Sequence, residues 1–327
     1  MEMEFGHPFT GYARRELEAF LKKMELDYDE GVEFSVTLWE SDELIATGSL
    51  DGNVLKCIAV DPAHQGEGLT ATVVSELRKE AFRRGKQHLL LFTKPKNRLM
   101  FEDLYFYPIA QTADMLLLES EKGGIANFVA SLEKPPVHGT VGAVVMNCNP
   151  FTLGHRWLVE QAASACDWLH IFVLSADRSE FPAADRRMLV QQGTADLKNV
   201  TVHPTGDYLI SAATFPSYFL KEKARADDIR CELDLEIFCK WFAPALGITK
   251  RFVGTEPLSA VTASYNEAMK RYLPPRGVEV VELARKEAEG APISASRVRA
   301  LLAARDFEAL KPLVPQSTLD YLKRLEG

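Results

Sequence analysis

At 327 residues the chain is too long for one ordinary core and suits two domains. Hydrophobic residues at 46% and charged residues at 26% exclude a disordered chain, and a net charge of −8 repels phosphate backbones, which argues against a nucleic-acid partner. No apolar run approaches the ~20 residues that span a bilayer, residues 1–8 carry no secretory pattern, and the five cysteines are scattered without CxxC spacing, so the expectation is a reduced cytoplasmic chain with no membrane span, disulfide framework or zinc site.

Residues 11–24 place Leu17, Phe20, Leu21 and Met24 at helical spacing. Residues 32–38 alternate as a strand with 44–49 as its partner, and 55–60 form a short apolar run stopped by Asp61-Pro62. A helix over 69–84 and a buried strand over 88–93 complete the first half. Lys134-Pro135-Pro136, in a polar stretch that closes at Gly139, marks the boundary, giving a first domain over 1–130, a linker over 131–138 and a second domain over 139–327. The pattern then changes. Strands over 140–146, 168–174, 200–202, 249–253 and 278–283 alternate with helices over 153–166, 185–197, 235–242, 296–304 and 318–325. Such alternation predicts a parallel sheet with helices on both faces, whose ligands sit beyond the carboxyl ends of the strands.

The most informative segment is VGAVVMNCNPFTLGH, residues 141–155. A buried strand ends at Asn147, the turn carries Asn149-Pro150, and a helix begins near Gly154-His155. A helix start offers unpaired N–H groups and a positive dipole end to phosphate, and a glycine there lets a triphosphate approach the backbone closely. A histidine beside it can donate to phosphate oxygens as charge builds in a transition state. Alone, Thr152-Leu153-Gly154-His155 reads more simply as a capped turn. Far along the chain, however, Ile293-Ser294-Ala295-Ser296-Arg297-Val298-Arg299 opens another helix with hydroxyls and arginines, a second phosphate clamp in form, although by itself a capped helix with a basic first turn is at least as good a reading.

Taken together, the two segments resemble the paired (T/H)xGH and ISxTxxR motifs of the nucleotidyltransferase superfamily, whose members attack the α-phosphate of ATP and release pyrophosphate; Ser296 replaces the threonine and keeps the hydroxyl. The resemblance implies ATP- and phosphate-binding roles for Asn147, Asn149, Thr152, Gly154, Ile293, Ser294 and Ser296, and catalytic roles for His155 and Arg299. It also implies that FPAADRRML, residues 181–189, brings Arg186 toward the phosphates, against the simpler reading of a charged helix face. Gly254-Thr255-Glu256 occupies the place of a Gly-x-Asp turn near adenine and ribose, with Glu256 a departure from the aspartate. Mg²⁺ would accompany ATP, held mostly by phosphate and water, and no residues are expected to form a protein metal site.

In the first half, Gln65-Gly66-Glu67-Gly68-Leu69-Thr70 stands between a strand and an amphipathic helix and resembles motif A of GNAT-type acetyltransferases. The resemblance implies that Gln65, Gly66, Gly68 and Thr70 bind the pyrophosphate of a coenzyme-A-type or pantetheine ligand, Thr70 standing where Gly or Ala is usual; an ordinary turn is the plain alternative for a lone Gly-x-Gly. FEDLYFY, residues 101–107, resembles a later segment of that family, with Tyr105 where glycine is common, and is read as core.

The expected fold is thus α/β: a GNAT-like α+β domain followed by a Rossmann-like parallel-sheet nucleotidyltransferase domain. This pairing resembles the citrate lyase ligase family over essentially the whole chain, in the stretches 146–151, 215–222, 243–247, 251–257 and 292–299. The resemblance implies that ATP and acetate, with the thiol of a dephospho-coenzyme-A-type prosthetic group on the citrate lyase acyl carrier subunit, give the acetyl thioester, AMP and pyrophosphate. A different acceptor, such as nicotinamide mononucleotide or phosphopantetheine, uses the same motifs, and the first domain has the alternative of a docking module that has lost catalysis. For Arg178, His203 and Tyr208 a solvated or core role is a simpler reading than an acetate pocket.

Overall fold

The computed structural model describes residues 1–29, 31–136, 139–176, 179–211, 231–256, 260–288 and 290–325. The chain divides into two compact units, Met1–Gly124 with Ala212–Glu236, and Ile125–Ser211 with Ile237–Gly327. The division falls before the Pro-rich stretch 131–138, because helix α4 (Gly124–Ser131) belongs with the second unit. Residues 137–138, 178, 215–222 and 257, named above, lie wholly outside the described residues.

The first unit is a seven-stranded sheet in the order β1-β2-β3-β4-β5-β7-β6, with β1 Glu2–Gly6, β2 Phe34–Glu40, β3 Glu43–Asp51, β4 Val54–Val60, β5 Leu90–Thr93, β6 Tyr107–Gln111 and β7 Leu116–Glu119. Helix α1 (Gly11–Lys23) buries Leu17, Phe20 and Leu21, and α2 (Leu69–Arg83) buries Leu69, Val73, Val74 and Leu77. Gly48 makes the seating of α2 possible, since a Cβ there would stand 2.4 Å from Val73. All neighbours pair antiparallel except β4 and β5, which run parallel and pair only at Val54↔Leu90 and Leu55↔Leu91. Beyond those two pairs the strands no longer share hydrogen bonds, and Ile58, Val60, Phe92 and Thr93 line a cavity of about 660 Å³. A short helix, α3 (Arg98–Glu102), buries Phe101, which meets buried Phe106 edge-on at 6.4 Å. Phe101 and Phe106 are therefore core, whereas Tyr107 is half-buried and Tyr105 is 69% exposed.

The second unit is a five-stranded, all-parallel sheet in the order β10-β9-β8-β11-β12, with β8 Val141–Met146, β9 Trp168–Val173, β10 Val200–Pro204, β11 Ile248–Gly254 and β12 Glu279–Leu283. The chain starts at central β8, steps outward to β9 and β10, then crosses to β11 and β12 on the other side. The switch point therefore lies beyond the carboxyl ends of β8 and β11, which is where such sheets bind ligands. Helices α5 (Leu153–Ser164), α6 (Ala183–Gly193), α7 (Ala260–Tyr272), α8 (Ala295–Ala303) and α9 (Gln316–Leu325) accompany the sheet. Phe151, Val159, Leu189, Phe252, Val298, Leu313 and Leu322 form one core with it, each at most 1% exposed. Burial of each such side chain stabilises by roughly 1.5–3 kcal/mol, far more than any surface contact in the unit.

His203 and Tyr208 are core residues: each is 4% exposed, and Tyr208 packs on Phe128 of α4 at 5.3 Å. His203 Nε2 shares a 2.9 Å hydrogen bond with Nδ1 of fully buried His170, whose Nε2 is buried without a partner among the described residues.

Candidate active site at the sheet switch point

Strand β8 delivers the chain into a turn held from several sides. Asn147 exchanges hydrogen bonds with Ser179 at 3.1 and 3.2 Å, and Asn149 Oδ1 accepts from the Phe181 N–H at 3.0 Å. Cys148 takes a left-handed backbone (φ 52°), and its thiol is buried, which pushes its pKa up. The turn ends in Thr152, the N-cap of α5.

Thr152 and His155 form a reciprocal cap. Thr152 Oγ1 accepts from the His155 N–H at 3.3 Å, while the Thr152 N–H donates to His155 Nδ1 at 3.1 Å. An Nδ1 that accepts a backbone N–H carries no proton, so the neutral ring holds its proton on Nε2. Phe151 stacks against the ring at 5.9 Å and 14°. Burial, and secondarily the charge of Arg285, lower the His155 pKa to about 4. At neutral pH His155 is thus an uncharged N–H donor with a fixed tautomer.

The first turn of α5 is less open than the motif alone suggests. The Leu153 N–H donates to Leu313 O at 2.8 Å and those of His155 and Arg156 are taken by Thr152. Among the described residues the Gly154 N–H has no acceptor. Gly154 is glycine for a packing reason: a Cβ would lie 3.1 Å from the Ile293 carbonyl oxygen and 3.4 Å from its Cβ. The first motif therefore presses directly on the first residue of the second.

Ser294 caps α8, accepting from the Arg297 N–H at 3.2 Å, and the N–H groups of Ala295 and Ser296 have no acceptor among the described residues. Arg299 reaches back across the site. Its Nη1 donates to Asn149 O at 2.6 Å, its Nη2 to Ser296 Oγ at 3.2 Å, and its Nε pairs with Glu180 at 3.2 Å. Thr152, Gly154, His155, Ile293, Ser294, Ser296, Asn149 and Arg299 are thus gathered into one constellation by contacts and chain adjacency, with Asn147 joined to its edge through Ser179 and Arg186. It offers N–H groups, a hydroxyl, an imidazole and a guanidinium, all of which suit phosphate oxygens.

Arg186 stands differently from the expectation. It is fully buried, and its guanidinium donates to Phe181 O (3.0 Å), Asn147 O (2.9 Å), Asn147 Oδ1 (2.7 Å) and Ala176 O (2.8 Å). A cation whose donors are spent on the turn carbonyls holds that turn in shape and does not project toward a triphosphate. On the β11 side, the Gly254 carbonyl accepts from Asn266 at 2.9 Å, and Thr255 N–H donates to Leu283 O at 2.9 Å. Glu256, expected near the ribose, pairs with Arg285. Arg285, Trp157 and Glu180 were not singled out from sequence, because each lies outside the motif it serves.

In the first unit, Gln65, Gly66, Gly68 and Thr70 line the 660 Å³ cavity together with Lys94 and Lys96. Gly68 is the N-cap of α2 with φ 77°, and no side chain caps the helix, leaving its first-turn N–H groups facing that loop. A Cβ at Gly66 or Gly68 would meet nothing within 4 Å, so the glycines answer to their positive φ angles and leave room beside the helix start.

Three histidines in the second unit are neutralised by burial: His155 and His203, with pKa values lowered to about 4, and His170, lowered to about 3 with His203 as a second cause. The unfolded chain protonates these imidazoles near pH 6.5, whereas the folded chain does so only well below it. Between those limits the unfolded state binds more protons, so acid favours unfolding. Thermal or urea unfolding is expected to show stability that is full above pH ~6.5 and falls toward pH ~4 by up to roughly 1.4 kcal/mol per pH unit per imidazole. Replacing His170 by Phe is expected to flatten that slope; an unchanged slope would show that the buried pair does not govern it.

The fold and site together define a nucleotidyltransferase-like α/β unit joined to an acetyltransferase-like unit. Residues 141–322 match the citrate lyase ligase C-terminal domain family and residues 3–102 the acetyltransferase (GNAT) family. The chain is 47% identical over 318 residues to a citrate (pro-3S)-lyase ligase of Klebsiella pneumoniae, covering 95% of this chain and 93% of that one. It is 44% identical to the ligase of the same name from Escherichia coli, covering 95% and 90%, and 40% identical to that of Haemophilus influenzae, covering 94% of each. The chain belongs to the citrate lyase ligase family.

Proposed function

We propose that the chain is an acid–thiol ligase that activates citrate lyase by acetylating the thiol of a dephospho-coenzyme-A-type prosthetic group on its acyl carrier subunit. In the first step a carboxylate oxygen of acetate attacks the α-phosphorus of ATP, the bond to the bridging oxygen breaks, and pyrophosphate leaves. In the second, the carrier thiolate attacks the carbonyl of acetyl-AMP and AMP leaves. The observation that carries this reading is the contact between Gly154 and Ile293, which joins the two phosphate-binding motifs at the sheet's switch point.

In-line displacement at phosphorus asks little covalent chemistry of the protein, so positioning and charge stabilisation supply the rate. The Gly154, Ala295 and Ser296 N–H groups, Ser296 Oγ and Arg299 hold the phosphates. His155 donates from Nε2 as charge develops toward the leaving pyrophosphate. Glu180 is the stand-in anion on Arg299 that the phosphate tail displaces. The donor set fits phosphate and not a metal cage, so Mg²⁺ would come with ATP, bound by its oxygens, and neutralise part of their charge. In the first unit, the Gly66–Thr70 loop and its cavity receive the prosthetic arm. With five free cysteines, the chain suits the reducing cytoplasm.

The test is ATP–pyrophosphate exchange with the purified chain. Exchange is expected to require acetate. Pyrophosphate release with nicotinamide mononucleotide or phosphopantetheine, and none with acetate, would instead identify an adenylyltransferase for a phosphorylated acceptor.

A further inference from the structure

Arg285 belongs to neither phosphate-binding motif, yet the fold fixes it at the switch point. It follows β12 by two residues, and its segment is pinned on both sides. Trp157 Nε1 of α5 donates to Ala284 O at 3.1 Å, and the Ile293 N–H donates to Lys286 O at 3.0 Å. Within this frame, Arg285 Nε donates to Thr255 O at 2.5 Å, and Nη2 is paired with the Glu256 carboxylate, which is only 7% exposed. The arginine side chain keeps 27% exposure, and among the described residues its Nη1 has no acceptor.

A structural tie between β11 and β12 needs only the Nε bond to Thr255. It does not require a nearly buried carboxylate, which is costly to desolvate and is retained where it fixes the direction of a partner. Glu256 immobilises one edge of the guanidinium and, among the described residues, the Nη1 donors meet no acceptor. The site already holds Arg299 on the α8 side; Arg285 adds a cation on the β11–β12 side. Its charge also acts on the His155 ring.

We propose that Arg285, oriented by Glu256, is a substrate-binding residue that takes an anionic oxygen at the reaction centre, from the carboxylate of the acid or from a phosphate of ATP. Its placement rests on the adenylation reading only for the identity of the acid. Arginine suits this task because its charge is permanent and its donors are directional.

The experiment compares the full-length chain with Arg285→Gln, Arg285→Lys and Glu256→Gln. It measures KM for acetate and for ATP in the exchange reaction, and Kd for Mg·ATP by calorimetry. Arg285→Gln is expected to raise one of these by about tenfold or more, with the melting temperature near that of the parent. Arg285→Lys is expected to recover part of the loss, and Glu256→Gln to fall between. A rise confined to acetate KM assigns the carboxylate, and a rise in ATP KM and Kd assigns the phosphate. If all three constants stay within twofold in a folded Arg285→Gln chain, the proposal is overturned and Arg285 is only a tie. If the unaltered chain shows no acetate-dependent exchange, the adenylation reading fails separately, and the ATP Kd alone then decides: weakened binding supports Arg285, unchanged binding overturns it.

Discussion

Replacing His155 with alanine is expected to lower the turnover of acetate-dependent exchange by about 10²–10³-fold while changing the KM for ATP by no more than about threefold. The reason lies in the ring's protonation and hold. Nδ1 is occupied by the Thr152 N–H, so the Nε2 proton is the group left to meet a ligand. Held neutral by burial, the ring adds no charge to ground-state binding of ATP, and its hydrogen bond strengthens only as negative charge accumulates on the departing phosphates. Loss of half the reciprocal cap costs about 1 kcal/mol of stability, too little to unfold the unit. His155→Gln, which can present an N–H near the position of Nε2, should regain part of the rate. Equal turnover in the alanine variant and the parent would remove His155 from the chemistry.

The second large effect is expected to separate the two units. Gly68→Asn should lower acetylation of the carrier at least tenfold and leave acetate-dependent exchange within twofold of the parent. Asparagine tolerates the left-handed backbone that Gly68 adopts, so the helix start survives. Its side chain, however, enters the space beside the uncapped N–H groups, where no protein atom lies within 4 Å of the added Cβ. Parallel assays of exchange and of thioester formation on the carrier would register the split. A folded variant that loses both activities would argue against assigning the prosthetic arm to the first unit, and one that loses neither would remove the loop from the reaction.

How much of this was legible in the sequence depends on the physics of each element. The parallel strands β8 and β9 announce themselves because strands covered on both faces read as apolar runs. Strand β1 does not: it pairs only with β2, its first four residues are exposed, and Glu2 and Glu4 give it the look of a solvated terminus. Helix α7 and the short strands β6 and β7 went unread. At the site, Thr152, Gly154, His155, Ser294 and Arg299 were readable because a helix start has a chemical signature of its own. The roles of Arg186 and Arg285 were not, since an arginine on a helix or after a strand looks the same whether it faces a ligand or its own backbone. Only the contacts distinguish Arg186, spent on turn carbonyls, from Arg285, whose Nη1 meets no acceptor among the described residues. Gly154 was read from sequence only as room for a ligand; in the structure its close neighbour is the Ile293 carbonyl.

That steric fit between Gly154 and Ile293 bears on how the chain matures. During synthesis the central strands and α5 of the second unit emerge long before the hydroxyl-rich turn at Ile293-Ser294. A nascent chain that ends at β12 has Gly154 but not the residue it packs against. On the proposed reading, a triphosphate can be gripped only once residues 293–299 have been made and have docked against the helix that Thr152 caps.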